Sequence, residues 1–113
     1  MLNITVKEQN KVIILSLEGD MVFNELREVE EIFTRELAKK PSAIGINCKH
    51  LRSLDSSGLG MLIQFTKDAS AASVPLPIID IPENITRVFD SSKLEGFFEM
   101  MNAIDFEQLY VKK

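Results

Sequence analysis

A chain of 113 residues suits one domain and is too short for two comfortable ones. Its 45% hydrophobic content supplies a core and argues against disorder, while no apolar run reaches the roughly 18 residues that a membrane span needs. A net charge of −4 with scattered basic residues argues against nucleic acid, and a single cysteine excludes an internal disulfide.

The segment from Met1 to Lys7 lacks a basic region, an apolar run and a small-residue cleavage site, so a cytoplasmic location is expected. Met1 to Glu8 alternates Leu2, Ile4 and Val6 with polar neighbours, the period of a half-buried strand. Gln9-Asn10 reads as a turn. Lys11 to Glu18 reads as a central strand, apolar on both faces through Val12, Ile13, Ile14, Leu15 and Leu17, and Gly19-Asp20 should end it.

From Asn24, a plausible N-cap, the period becomes helical: Leu26, Val29, Phe33 and Leu37 recur, with Ile32 widening the stripe. Glu25, Glu28, Glu30 and Glu31 load the early turns, Lys39-Lys40 the last, and Pro41 closes the helix. Ala43 to Cys48 is the third strand, with Ile44, Ile46 and Cys48 on one face and Gly45 allowing close packing on the other. Cys48 then reads as a small core hydrophobe. With one histidine and one cysteine there is no structural zinc site, and His50 reads as a loop or capping residue.

Lys49 to Asp55 is expected as a loop with Leu51 and Leu54 tucked inward. A helix should open at Asp55-Ser56-Ser57 and run to Ala72, its stripe traced by Leu59, Leu62, Ile63, Thr66 and Ala69. A connection with Pro75 and Pro77 leads to a fourth strand, Leu76 to Ile81. A helix then spans about Glu83 to Ser91, with Ile85, Val88 and Phe89 inward. Leu94 to Met100 reads as a turn and a short strand, and Ile104 to Tyr110 as a last short helix. The order β-β-α-β-α-β-α-β-α predicts an α/β fold with a mixed, largely parallel sheet, whose sites lie at the strands' carboxyl ends.

Leu54-Asp55-Ser56-Ser57-Gly58-Leu59-Gly60 is the informative segment. A helix start has unpaired N–H groups, which Asp and Ser cap well. Gly58 and Gly60 reduce bulk and let another backbone come close. A phosphate on a serine here would be tolerated by the fold, yet it would place about −1.5 to −2 charges on a contact surface. The plain alternative is that these residues only cap the helix, as such segments do in many proteins.

The whole chain resembles the STAS family, specifically its stand-alone bacterial anti-sigma factor antagonists. Leu17-Glu18-Gly19-Asp20-Met21 is similar to the family's Gly-Glu-Leu-Asp segment, and an amphipathic helix follows it. Leu54-Asp55-Ser56-Ser57-Gly58-Leu59-Gly60 is nearly identical to the family signature, and Ile85-Thr86-Arg87-Val88-Phe89-Asp90 resembles the helix between the last two strands. The resemblance implies a STAS-like mixed sheet of four to five strands flanked by about four helices, one domain over the whole chain. It implies Ser56 as the phosphorylation site, with Asp55 before it and Ser57 beside it. It implies binding, while unphosphorylated, to an anti-sigma factor that is also an ATP-using serine kinase, release on phosphorylation, and restoration by a phosphatase. Transcription would be regulated by this partner switching. Two positions depart from the family. Val22 stands where the segment usually ends in Asp, so Asp20 is the available carboxylate. Pro75 and Pro77 replace the glycine common before the fourth strand, so a local change in that loop is expected.

No enzyme is expected. A nucleophilic serine needs a base and an orienting partner, and neither a Gly-x-Ser-x-Gly elbow nor a phosphate-binding loop is present. No cofactor or metal is called for, nor insertion into a membrane, and nothing demands more than a monomer. The rival binding class is a STAS subunit serving as scaffold in a sensory assembly or a membrane transporter. The expected partner surface comprises Asp20, Met21, Val22, Phe23 and Asn24 with Asp55, Ser56, Ser57, Gly58, Leu59, Gly60 and Met61. Met21, Phe23 and Met61 are its candidate apolar contacts. Met61 is expected to be exposed because it falls off the helix stripe; Phe23 is open between exposure and inward packing.

Overall fold

The computed structural model describes residues 1–91, 94 and 96–112. β1 (Leu2–Gln9) and β2 (Val12–Met21) form an antiparallel hairpin, registered from Leu2 opposite Gly19 to Gln9 opposite Val12. Its turn is Asn10-Lys11, one residue later than expected, with φ of 54° and 64°. Two positive φ values give the turn whose twist matches a hairpin. A 3₁₀ turn (Phe23–Glu25) leads into α1 (Arg27–Ala38). Asn24 lies within that turn and is not the cap of α1. Leu26 takes the capping position with no side-chain bond.

β3 (Ala43–Leu54), α2 (Ser56–Ala71), β4 (Ile78–Ile79), α3 (Glu83–Ser91) and β5 (Met100–Met101) follow. The chain ends in α4 (Ala103–Phe106) and a π-helical turn (Glu107–Val111) where one short helix was expected. Part of the expected turn at 94–100, position 95, lies outside the described residues. The sheet order is β1-β2-β3-β4-β5, parallel at every pair but the first.

α1, α2 and α3 cover one face. Val29 and Phe33 of α1, Leu59, Leu62, Phe65 and Ala69 of α2, and Ile85 and Phe89 of α3 pack on Leu15, Leu17, Ile44, Ile46 and Cys48. Each buried large apolar side chain contributes about 1.5–3 kcal/mol. Phe33 stacks on Phe65 with ring centroids 4.0 Å apart. Phe65 is thus the central side chain of the α2 stripe, while the expected Ile63 and Thr66 are only half-buried. α4 and the π turn cover part of the opposite face. There Phe106 and Val111 meet Val12, Ala43 and Ile79. A Cβ on Gly45 would lie 2.7 Å from Ile79 and 2.8 Å from Phe106, so glycine is what admits this layer.

Three expected strands have different bounds. β3 continues through the expected loop, carrying His50 on an exposed strand position opposite Glu18. Register shifts occur between Ser16 and Glu18 and between Gly19 and Asp20, each putting an extra residue in β3. Cys48, Leu51 and Leu54 therefore turn inward at intervals of three, a spacing that hides a strand from a period-two reading. β2 likewise runs past Gly19. That residue has φ of 110°, and a Cβ there would lie 2.0 Å from the carbonyl oxygen of Met1. β4 is shorter than expected. The carbonyls of Pro75 and Pro77 accept bonds from Ile44 and Ile46 at 3.0 and 2.9 Å, but the prolines return no N–H, so the regular ladder begins at Ile78. In the connection before β4, Ser73 takes φ of 59°.

Candidate functional site

The carboxyl ends of β2 and β3 meet at the pair Met21–Leu54, and α2 starts directly beyond it. Asp55 is extended and caps α2. Its Oδ1 accepts the Gly58 N–H at 2.8 Å, and its Oδ2 accepts the Phe23 N–H at 3.0 Å. The Asp55 N–H in turn donates to the Met21 carbonyl at 3.4 Å. One short side chain thereby ties the helix start to the neighbouring contact loop. Backbone bonds from Gly58 and Phe23 hold its carboxyl below the usual carboxylate range.

With Asp55 as the cap, Ser56 occupies the first helical position and is exposed, and Ser57 is half-buried. Gly58 and Leu59 are buried. The Gly58 space is filled by the chain itself: a Cβ there would lie 2.1 Å from the Met21 carbonyl oxygen and 2.8 Å from Leu54. Only Gly60 offers open surface, with nothing within 4 Å of where a Cβ would stand. The close approach anticipated for both glycines is internal at Gly58, while Gly60 faces open space.

The candidate apolar contacts divide in the same way. Met21 is wholly buried, which corrects its expected role as a contact side chain: the strand end turns it into the core beneath α2. Met61 is half-buried against the core, more enclosed than expected, although it lies off the main stripe. Phe23 is 73% exposed on its 3₁₀ turn, Val22 is half-buried and Asn24 exposed.

Asp20 lies beside this loop with its carboxylate engaged. Arg52 Nε donates to Oδ1 at 3.0 Å and Arg52 Nη2 to Oδ2, while the Ser53 hydroxyl donates to Oδ1 at 2.7 Å. The Arg52 hydrogen bonds, then that of Ser53, hold the Asp20 carboxyl far below the usual range. Asn84, at the start of α3, donates to the Arg52 carbonyl at 3.1 Å. Arg52, Ser53 and Asn84 escaped the sequence reading. They are 32 residues or more from their partners; the β2–β3 register brings Arg52 and Ser53 to Asp20, and the packing of α3 against β3 brings Asn84 to Arg52.

A model of the STAS domain matches residues 3–106. The chain belongs to the STAS domain family. The anti-sigma-B factor antagonist of Staphylococcus aureus (strain NCTC 8325 / PS 47) is 24% identical over 106 residues, which cover 94% of this chain and 98% of that protein. Among solved structures, an anti-sigma factor antagonist from Mycobacterium paratuberculosis superposes with a TM-score of 0.86 at 17% identity, covering 100% of this chain and 96% of the other. The phosphorylated form of the Bacillus cell fate determinant SpoIIAA gives 0.73 at 17% identity, covering 95% and 96%. These structures carry the fold: a STAS domain with a mixed five-stranded sheet and four α-helices among the described residues. In this STAS domain Val22 is half-buried, and the Asp20 carboxylate is engaged by Arg52 and Ser53. Among the described residues, no helix is long and apolar enough to cross a membrane, and no group of three or more His, Cys, Asp and Glu side chains is placed to hold a metal.

Proposed function

We propose that this STAS domain is a cytoplasmic anti-sigma factor antagonist whose partner binding is switched at Ser56. Unphosphorylated, it binds a kinase-type anti-sigma factor and so frees a sigma factor. The partner transfers the γ-phosphoryl group of ATP to the Ser56 hydroxyl, whose proton is lost, and ADP leaves. The phosphorylated domain then dissociates, and a phosphatase restores it. The chain is binder and substrate and carries out no chemistry of its own. The names of its relatives support the antagonist class.

The observation that carries the reading is the division of labour at the helix start. Asp55 does the capping, which leaves Ser56 exposed at the first helical position and free of a structural task. A phosphate there leaves the fold intact. Against a closed partner surface it adds a dianion beside the Asp55 carboxylate, with both repulsion and a desolvation cost. A 100-fold loss of affinity requires only about 2.7 kcal/mol of that effect.

The test compares wild type, Ser56→Ala, Ser56→Asp and protein carrying phosphoserine at position 56 for binding to the ATP-binding anti-sigma factors of the same organism. Wild type and Ser56→Ala should bind, and the other two should bind much more weakly. Equal binding by all four would reject the switch and move the domain to the scaffold class.

A further inference from the structure

Phe23 presents its ring to solvent in a place where the fold gives it every chance to be rigid. It is 73% exposed, and among the described residues it is the most open aromatic side chain. The residues around it are pinned. Met21 is fully buried and Leu26 is 9% exposed, so the turn is nailed to the core on both sides. The Glu25 N–H donates to the Val22 carbonyl at 2.8 Å, closing the turn from within. The Phe23 N–H is held by Asp55 Oδ2 at 3.0 Å. That carboxylate belongs to the residue immediately before Ser56 and also accepts the Gly58 N–H, so the backbone of the Phe23 turn and the start of α2 are tied through one side chain.

Val22 and Phe23 make the start of this loop apolar, ahead of polar Asn24 and Glu25. Val22 precedes Phe23, and the Asp20 carboxylate is engaged by Arg52 and Ser53. The backbone that carries the ring is already held, so docking orders only the side chain, and an aromatic ring is the residue type that dominates interface energetics.

We infer that Phe23 is the apolar anchor of the partner interface, inserting into an apolar pocket of the anti-sigma factor, and that Asp55 is the positioning residue that holds it out beside Ser56. The inference rests on the switch proposed above and names the kind of surface its partner must present. It also explains why phosphate at this place would be decisive: an apolar closure beside the helix start excludes the water that a phosphoserine dianion requires.

The test uses each purified ATP-binding anti-sigma factor of the source organism as the titrant. Phe23→Ala should bind about 30-fold or more weakly than wild type. Phe23→Leu should recover part of the loss, and the difference should persist as salt is raised. Asp55→Ser retains a capping oxygen for α2 but supplies one oxygen where Asp supplies two. It should keep the thermal midpoint close to wild type while the Phe23 amide exchanges faster in the free protein and binding weakens. Phe23→Ala binding like wild type, while phosphoserine at position 56 abolishes binding, would overturn the anchor and leave the switch standing. A Phe23→Ala defect that disappears at high salt would overturn its apolar nature. An unchanged Phe23 amide in Asp55→Ser would overturn the positioning role. Wild type binding none of the factors would overturn the switch and the anchor together.

Discussion

Gly58 and Gly60 sit two residues apart on one helix, and the structure assigns opposite outcomes to the same substitution at each. A Cβ on Gly58 would stand 2.1 Å from the Met21 carbonyl oxygen and 3.1 Å from its carbon, both backbone atoms of the β2 end. Relief requires the strand end or the helix start to move by more than an ångström, which typically costs about 1–3 kcal/mol. The gain in helix propensity returns at most about 1 kcal/mol. Gly58→Ala should therefore be destabilised by about 1–2 kcal/mol. Gly60 meets nothing within 4 Å, so Gly60→Ala should gain about 0.4–1 kcal/mol. With an unfolding entropy of about 2.1 cal/mol/K per residue, 1 kcal/mol corresponds to about 4 °C for 113 residues. Calorimetry should find Gly58→Ala lowered by about 4–8 °C and Gly60→Ala raised by about 2–4 °C. A Gly58→Ala midpoint at or above wild type would refute the internal close approach.

Gly60→Ala should also weaken partner binding despite its greater stability, because its methyl group occupies the open surface beside Ser56; titration of both proteins with the anti-sigma factor checks this. Phe65→Ala should lose about 3–5 kcal/mol, because the ring stacked 4.0 Å from Phe33 fills the α1–α2 contact, and denaturant unfolding should show it as a large fall in midpoint at unchanged slope. The Cys48 thiol is buried and its pKa is pushed up to about 12, so alkylation near neutral pH should proceed only through the opened or unfolded fraction and speed up in denaturant. Burial, then the hydrogen bond to Glu99 at 2.9 Å, pushes the Tyr110 hydroxyl up to about 12 from an ordinary value of 10.0. Its contribution to stability is therefore full below pH 10 and is lost as pH rises towards 12. Tyr110 is the only tyrosine, so tyrosinate absorbance should report a midpoint near 12 in the folded protein and near 10 in denaturant.

What the chain reveals without its structure follows from which interactions are local. The existence of β1, β2 and the helices and the side given to Cys48 rest on periodicity within a few residues and were legible, whereas the end of β2 and the cap of α1 were not. The far half of β3 was not, because two bulges break its alternation and polar Lys49, His50, Arg52 and Ser53 make it read as loop. The late start of β4 follows from missing proline N–H groups, a signal present in the sequence at Pro75 and Pro77 and read only as a loop change, and its early end comes at Asp80, whose φ is 53°. At the site, the capping role and the exposure of Ser56 follow from a single segment. The burial of Met21, the filling of the Gly58 space and the Asp20–Arg52 clamp depend on strand register across 32 to 37 residues, which no local pattern contains.

The most direct test of the central claim is the intact mass of the protein purified from its own cells, with site mapping, beside Ser56→Ala. The expected result is a phosphate adduct that maps to Ser56 and is missing from the variant. Absence of phosphate under both growth and stress conditions, or an adduct that survives in Ser56→Ala, would contradict a switch at Ser56.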